Sequence, residues 1–143
     1  MDHSTLEGID FESSDELSEN ELKELYNDAG WSSYTNDMGR LADAVRSSLL
    51  NVTARDGKEL VGLVRCVGDG KTIVYIQDIL VKSRYKRRGI GTELIRIVLK
   101  KFIDVRQIVL LTDEDEVTKK FYESVGFETA VSRKFVCFVR IRS

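Results

Sequence analysis

The run Ile79 to Thr92, Ile-Leu-Val-Lys-Ser-Arg-Tyr-Lys-Arg-Arg-Gly-Ile-Gly-Thr, constrains this chain most, because it turns a strand into a helix through a cationic, glycine-bearing link. The apolar residues Ile79, Leu80 and Val81 end the strand, and Ile90, Leu94, Ile97, Val98 and Phe102 then recur at helical spacing, a broad face for burial against a sheet. The first turn of a helix leaves backbone N–H groups without intrahelical partners, and the aligned peptide dipoles add partial positive charge there. An anion docks at such a place without needing any one side chain. Gly89 and Gly91 let the backbone come close and permit the positive φ angles from which anion-binding nests are built. With Arg84, Lys86, Arg87 and Arg88 around it, the turn reads as a holder of phosphate.

Two well-known phosphate motifs fit poorly. A P-loop requires Gly-x-x-x-x-Gly-Lys-Ser/Thr, which does not occur, and the dinucleotide fingerprint places a third glycine where Leu94 stands. Lys86-Arg87-Arg88-Gly89-Ile90-Gly91 instead resembles the Gln/Arg-x-x-Gly-x-Gly/Ala signature of the GCN5-related N-acetyltransferase superfamily, which binds the pyrophosphate of acetyl-CoA. Lys86 departs from that pattern, where Gln or Arg is usual. Further on, Val109 to Thr112 reads as a strand and Asp113 to Glu116 as an acidic helix entry, before Lys119 to Phe127. This unit is similar to the superfamily's Asn-x-x-Ala-x-x-Phe-Tyr-x-x-x-Gly-Phe motif. Phe121, Tyr122, Gly126 and Phe127 match in register, whereas Asp115 and Thr118 replace Asn and Ala. Asp115 remains able to cap the helix.

The resemblance spans roughly Leu60 to Phe127 and implies an α+β, acyl-CoA N-acyltransferase fold. That fold has a mixed, mostly antiparallel sheet of about six or seven strands, splayed between the fourth and fifth and flanked by about four helices. It implies an N-acetyltransferase that moves the acetyl group of acetyl-CoA to a primary amine by direct attack in a ternary complex. The cofactor would then be held by backbone groups of Ile79, Leu80 and Val81 and by Lys86, Arg87, Arg88, Gly89, Ile90, Gly91 and Thr92. Tyr122 becomes the candidate general acid, since a phenol keeps its proton at neutral pH and can give it to a departing thiolate. Asp78, the carboxylate in the strand, is a candidate to take or relay a proton through water, or else to pair with a cation or cap a loop. Trp31, Tyr34, Tyr75 and Gln77 are the candidates for the acceptor site, which a small-molecule amine or a protein amine would occupy. Trp31 could equally be a core anchor. A homodimer through the C-terminal strands is an assembly common in the family.

Composition narrows the remaining classes. At 143 residues the chain suits a single domain, 1–143, and a net charge of −2 with 32% charged residues advertises neither nucleic acid nor an anionic membrane. No apolar run is long enough to span a bilayer and the first residues are too polar for a signal peptide, so a cytoplasmic location is expected. His3, the lone histidine, falls in a polar tail and is expected to be solvated, which removes Ser-His and Cys-His catalysis and His-ligated zinc. No metal is expected. Cys66 and Cys137 lie in apolar, strand-like segments and read as buried free thiols.

Along the chain, residues 7–12 read as a first strand, and Ser18-Glu19-Asn20-Glu21 has capping-box spacing for a helix to Asn27 that Gly30 ends. A second helix is expected from Asp37 to Leu50, with Trp31 to Tyr34 as a loop before it. Val52 to Arg55, Glu59 to Val67 and Thr72 to Val81 form an antiparallel meander with turns at Asp56-Gly57 and Gly68 to Lys71. After the crossover helix, Gln107 to Thr112 returns parallel to the preceding strand. A helix over Glu116 to Ser124 and a hairpin of Phe127 to Val131 with Lys134 to Ile141 complete the expectation. Two other readings stay open. One is a catalytically silent acetyl-CoA-binding or interaction module of the same fold. The other treats Lys82 to Arg88, with five cations in seven residues, as a weak nucleic-acid contact.

Overall fold

The computed structural model describes residues 6–142; His3 lies outside them. Its elements in chain order are β1 (Ile9–Ser13), α1 (Glu19–Asp28), α2 (Ser32–Thr35), α3 (Met38–Arg46), β2 (Leu50–Asp56), β3 (Glu59–Gly68), β4 (Ile73–Val81), α4 (Ile90–Lys101), β5 (Gln107–Leu110) and α5 (Glu116–Ser124). Short 3₁₀ turns occur at Ser83–Tyr85 and Ala130–Arg133. The chain divides into two units, one up to Leu111 and one from Thr112 onward.

In the first unit the five strands are ordered β1-β2-β3-β4-β5, antiparallel except for the parallel pair β4 and β5. The capping box forms: Ser18 Oγ accepts from the Glu21 N–H at 3.2 Å, and Glu21 Oε2 accepts from the Ser18 N–H at 2.8 Å. Gly57, at φ 61°, makes the tight turn between β2 and β3.

Successive residues of a strand face opposite ways. On β3, Leu63 packs with Leu22, Leu25 and Tyr26 of α1 and Leu41 and Val45 of α3, while a Cβ at neighbouring Gly62 would lie 3.2 Å from Ile90 of α4. Thus α1 and α3 cover one face and α4 the other. Ile90, Leu94, Ile95 and Val98 are the buried residues of α4, with Ile95 taking the inward position expected of Ile97.

Several expectations are corrected. The second helix stops at Arg46 rather than Leu50, because Ser48 Oγ bonds back to the Ala44 carbonyl at 2.7 Å and Leu50 joins the sheet as the start of β2. Ser32–Thr35 is a single helical turn where a loop was expected. The last hairpin is absent among the described residues, and the described sheet has five strands rather than six or seven. The segment meant to turn it, Ala130–Arg133, winds into a 3₁₀ turn closed by Lys134 in the left-handed region, with no Gly or Asn for a two-residue hairpin turn. Cys66 is buried in β3 as expected, but Cys137 is exposed.

Candidate active site

From β4 the chain passes through Ser83–Tyr85 into the glycine turn. Arg87 at φ 66° and Gly89 at φ 89° are both left-handed, and Gly89 is the N-cap of α4, with no side chain capping the amides that follow. Alternating left-handed residues make an anion nest, and the open helix start adds its dipole, so the turn fits a pyrophosphate. Helices α1, α3 and α5, by contrast, are capped by Ser18, Asp37 and Asp115.

The cations around the turn are not equivalent. Glu59 pairs with Lys82 at 3.0 Å and with Arg84, whereas Arg88 lies over the Tyr85 ring at 5.3 Å. Lys86 and Arg87 are exposed. The Tyr85 hydroxyl donates to Asp56 Oδ2 at 2.6 Å, and Asp28 Oδ2 accepts from both the N–H and the hydroxyl of Ser83 at 2.8 and 3.1 Å. These bonds tie the start of the turn to the β2–β3 hairpin and to the end of α1. Thr92 is half-buried in the first turn of α4.

β5 pairs with β4 only from Ile73 to Ile76. Beyond that point, Asp78 to Val81 pair with β3 on one side and with no described strand on the other. The sheet is therefore splayed between its fourth and fifth strands, and the backbone of Ile79, Leu80 and Val81 lies along the open side. A register shift opposite Arg65 and Cys66 makes Gln77 the extra residue of a bulge.

That bulge lets neighbours Gln77 and Asp78 line the same pocket. The pocket is open, has a volume of about 360 Å3, and is otherwise lined by Gly30, Trp31, Ser32, Ser33 and Tyr34. Gln77 Nε2 donates to the Tyr34 hydroxyl at 3.1 Å, and the Trp31 and Tyr34 rings lie 6.0 Å apart. Trp31 and Tyr34 also pack against the core cluster, so pocket wall and core anchor are the same residues. Tyr75, earlier in β4, is half-buried and outside this lining.

Asp78 is the buried acid of the site. Its Oδ2 accepts from Arg65 Nε at 2.7 Å and from the Tyr26 hydroxyl at 2.7 Å, while Oδ1 is buried with no protein partner. Burial works against the charge of Arg65, but attraction and hydrogen bonding to Asp78 outweigh it and raise the guanidinium pKa. Burial, then the Asp78 charge and hydrogen bond, hold the Tyr26 phenol far above the usual tyrosine range. Tyr26 and Arg65 were missed in the sequence, although one signal was present: Arg65 is the lone charge within the apolar run Leu60 to Val67, and a buried cation needs a counterion.

In the second unit, Asp115 caps α5 as expected, accepting from the N–H groups of Val117 and Thr118 at 3.0 and 3.5 Å and from the Thr118 hydroxyl at 2.7 Å. Tyr122 packs edge-on against Phe121 and Phe127 at 5.0 and 5.9 Å. Burial raises its pKa. Among the described residues, no group of three or more His, Cys, Asp or Glu is placed to hold a metal ion, and no helix is long and apolar enough to cross a membrane.

Comparison with known proteins agrees with this geometry. Residues 13–127 match the model of the "Acetyltransferase (GNAT) family". A solved GNAT family acetyltransferase from Streptococcus pneumoniae TIGR4 is 33% identical, with a TM-score of 0.84 over 94% of this chain and 98% of that one. The aminoglycoside N-acetyltransferase AAC(6')-Iy, solved in complex with CoA, shares the fold at 17% identity and a TM-score of 0.71, over 94% of this chain and 95% of that one. The histone acetyltransferase TAP1 of Glycine max is 27% identical over 137 residues, covering 87% of this chain and 58% of its own length. The chain thus spans little more than half of that curated relative.

Proposed function

The chain belongs to the GNAT acetyltransferase family, and on that footing we propose that it transfers the acetyl group of acetyl-CoA to a primary amine by direct attack in a ternary complex. One observation carries this reading most: a left-handed pair, Arg87 and Gly89, leads into α4 after a strand whose far half is paired with no described strand on the β5 side. Both halves of a pantetheine diphosphate find backbone partners there, amides of the turn for the phosphates and the open edge of Ile79 to Val81 for the arm. When bound, acetyl-CoA supplies an activated acetyl thioester.

The residues then divide the work. Trp31, Tyr34 and Gln77 orient the amine in the pocket, with Tyr75 further along the strand. The amine must lose a proton before its lone pair can attack, and a water on Asp78 Oδ1 is the proposed first station of that proton on its way to solvent. As the C–N bond forms and the C–S bond breaks, the proposed proton donor to the thiolate is Tyr122, which burial keeps protonated; the nitrogen sheds its second proton to solvent as it becomes the amide, and the phenol recovers one from solvent. The acceptor is a small-molecule or protein amine, and the proposed setting is the cytoplasm.

Thermal shift with acetyl-CoA, followed by thiol release over propylamine, phenethylamine, spermidine and Nα-acetyl-lysine amide, tests the reading. Acetyl-CoA should stabilise the protein, at least one amine should release thiol, and Gly89→Ala should abolish the stabilisation. Stabilisation without turnover on any of the amines would favour a silent acetyl-CoA-binding module instead. No stabilisation at all would remove the cofactor assignment.

A further inference from the structure

Tyr26 and Arg65 belong to none of the chain's motifs, yet both donate to the same oxygen of Asp78 at 2.7 Å. Arg65 is held in turn by a 3.3 Å bond from Nη1 to Ser48 Oγ. A carboxylate bound only by a cation can swing about its Cβ–Cγ bond and share both oxygens. Two donors on Oδ2 oppose that rotation and keep Oδ1, buried and without a protein partner, as the oxygen left for a ligand or a water. The side chain of Asp78 is completely buried, so this spare acceptor has a strong need for a donor.

The Tyr26 ring touches the other half of the site. It meets Trp31 edge-on at 6.1 Å and Tyr34 edge-on at 5.5 Å, and those two rings are the aromatic walls of the pocket that Asp78 also lines. We propose that Tyr26 is a positioning residue: its hydroxyl fixes Asp78 so that Oδ1 serves the incoming amine, while its ring sets the Trp31–Tyr34 walls. This rests on reading the pocket as the acceptor site. Its consequence is a division of labour, in which removing one hydroxyl from α1 weakens use of the amine and leaves the grip on coenzyme A intact.

Tyr26→Phe keeps the ring and deletes the donor, and it should raise the acceptor KM by about tenfold with a smaller fall in kcat. The calorimetric Kd for coenzyme A should stay within about twofold of the parent. Trp31 is the sole tryptophan, so quenching of its fluorescence by phenethylamine reads the pocket without turnover, and its midpoint should shift by the same factor. In an Asp78→Asn background the Tyr26→Phe change should add little, because the group it positions has gone. An acceptor KM and quench midpoint unchanged by Tyr26→Phe would overturn the proposal. So would an effect of equal size with Asn at position 78, or loss of coenzyme A affinity in step with amine affinity. If the parent protein neither acetylates any amine of the panel nor shows quenching by phenethylamine, the acceptor-site reading fails together with this one. Turnover in the parent with an indifferent Tyr26→Phe sinks this proposal alone.

Discussion

Arg87 holds φ at 66°, where a β-carbon is crowded and glycine is the easier choice, at a cost of about 1 kcal/mol. Spending strain on an arginine beside Gly89 keeps a cation and a left-handed amide at one point of the turn, which suits a doubly charged phosphate. Tyr122 carries the sharpest residue-scale prediction. Burial raises its pKa, so the phenol holds its proton through neutral pH and loses it only above the ordinary value near ~10. Tyr122→Phe should lower kcat by about a hundredfold and erase the alkaline fall of activity, with coenzyme A binding retained. A pH profile matching the parent's would remove Tyr122 from the mechanism. Tyr122 and the glycines could be named as candidates from the sequence because a local motif surrounds each. Tyr26 was not, because its partner Asp78 lies 52 residues away in the chain.

At the scale of elements, the site depends on how close α4 comes to the sheet. A Cβ on Gly62 would stand 3.2 Å from both Ala54 Cβ and Ile90 Cγ2 and 3.3 Å from the Leu80 carbonyl oxygen, so glycine lets the first residue of α4 settle onto β3. Gly62→Val should destabilise the protein by about 1 to 3 kcal/mol and, by lifting Ile90, weaken coenzyme A binding about tenfold. Urea melts and calorimetry read the two effects separately; an unchanged Kd would show that the turn does not depend on this contact. Strand and helix identities were readable here, as were the Ser18 and Asp115 caps, since each follows from side chains within a few positions. The helix ending at Arg46, the bulge at Gln77 and the early end of β5 were not, because competing partners in other elements settle them.

Across the whole molecule, the slight net negative charge conceals carboxylates that the fold has placed carefully. Asp69 accepts from the Thr72 hydroxyl and from the N–H groups of Lys71, Thr72 and Ile73, which hold its pKa far below the usual range. Hydrogen bonds from Lys82 to Glu59 and from Thr118 to Asp115 likewise lower theirs. A depressed folded pKa means that the unfolded chain binds more protons on acidification. The stabilisation is therefore complete above the ordinary carboxylate range and fades as pH falls through the folded values. Between about pH 5 and pH 2, Asp69→Asn should lose less Tm than the parent does. Parallel Tm curves for the two would deny Asp69 that role.

Apolar periodicity, cap chemistry and the glycine turn were enough to establish most of the helices and strands up to α5 and that a glycine-bearing, cationic link joins β4 to α4. All of these are governed by neighbours a few residues off. The junction of Arg65 and Tyr26 on Asp78, the point where β4 parts from β5, and the 3₁₀ turn in place of a final hairpin arose only with folding in three dimensions. Each depends on which distant groups compete for a buried charge or an unpaired backbone, and no local pattern encodes that competition.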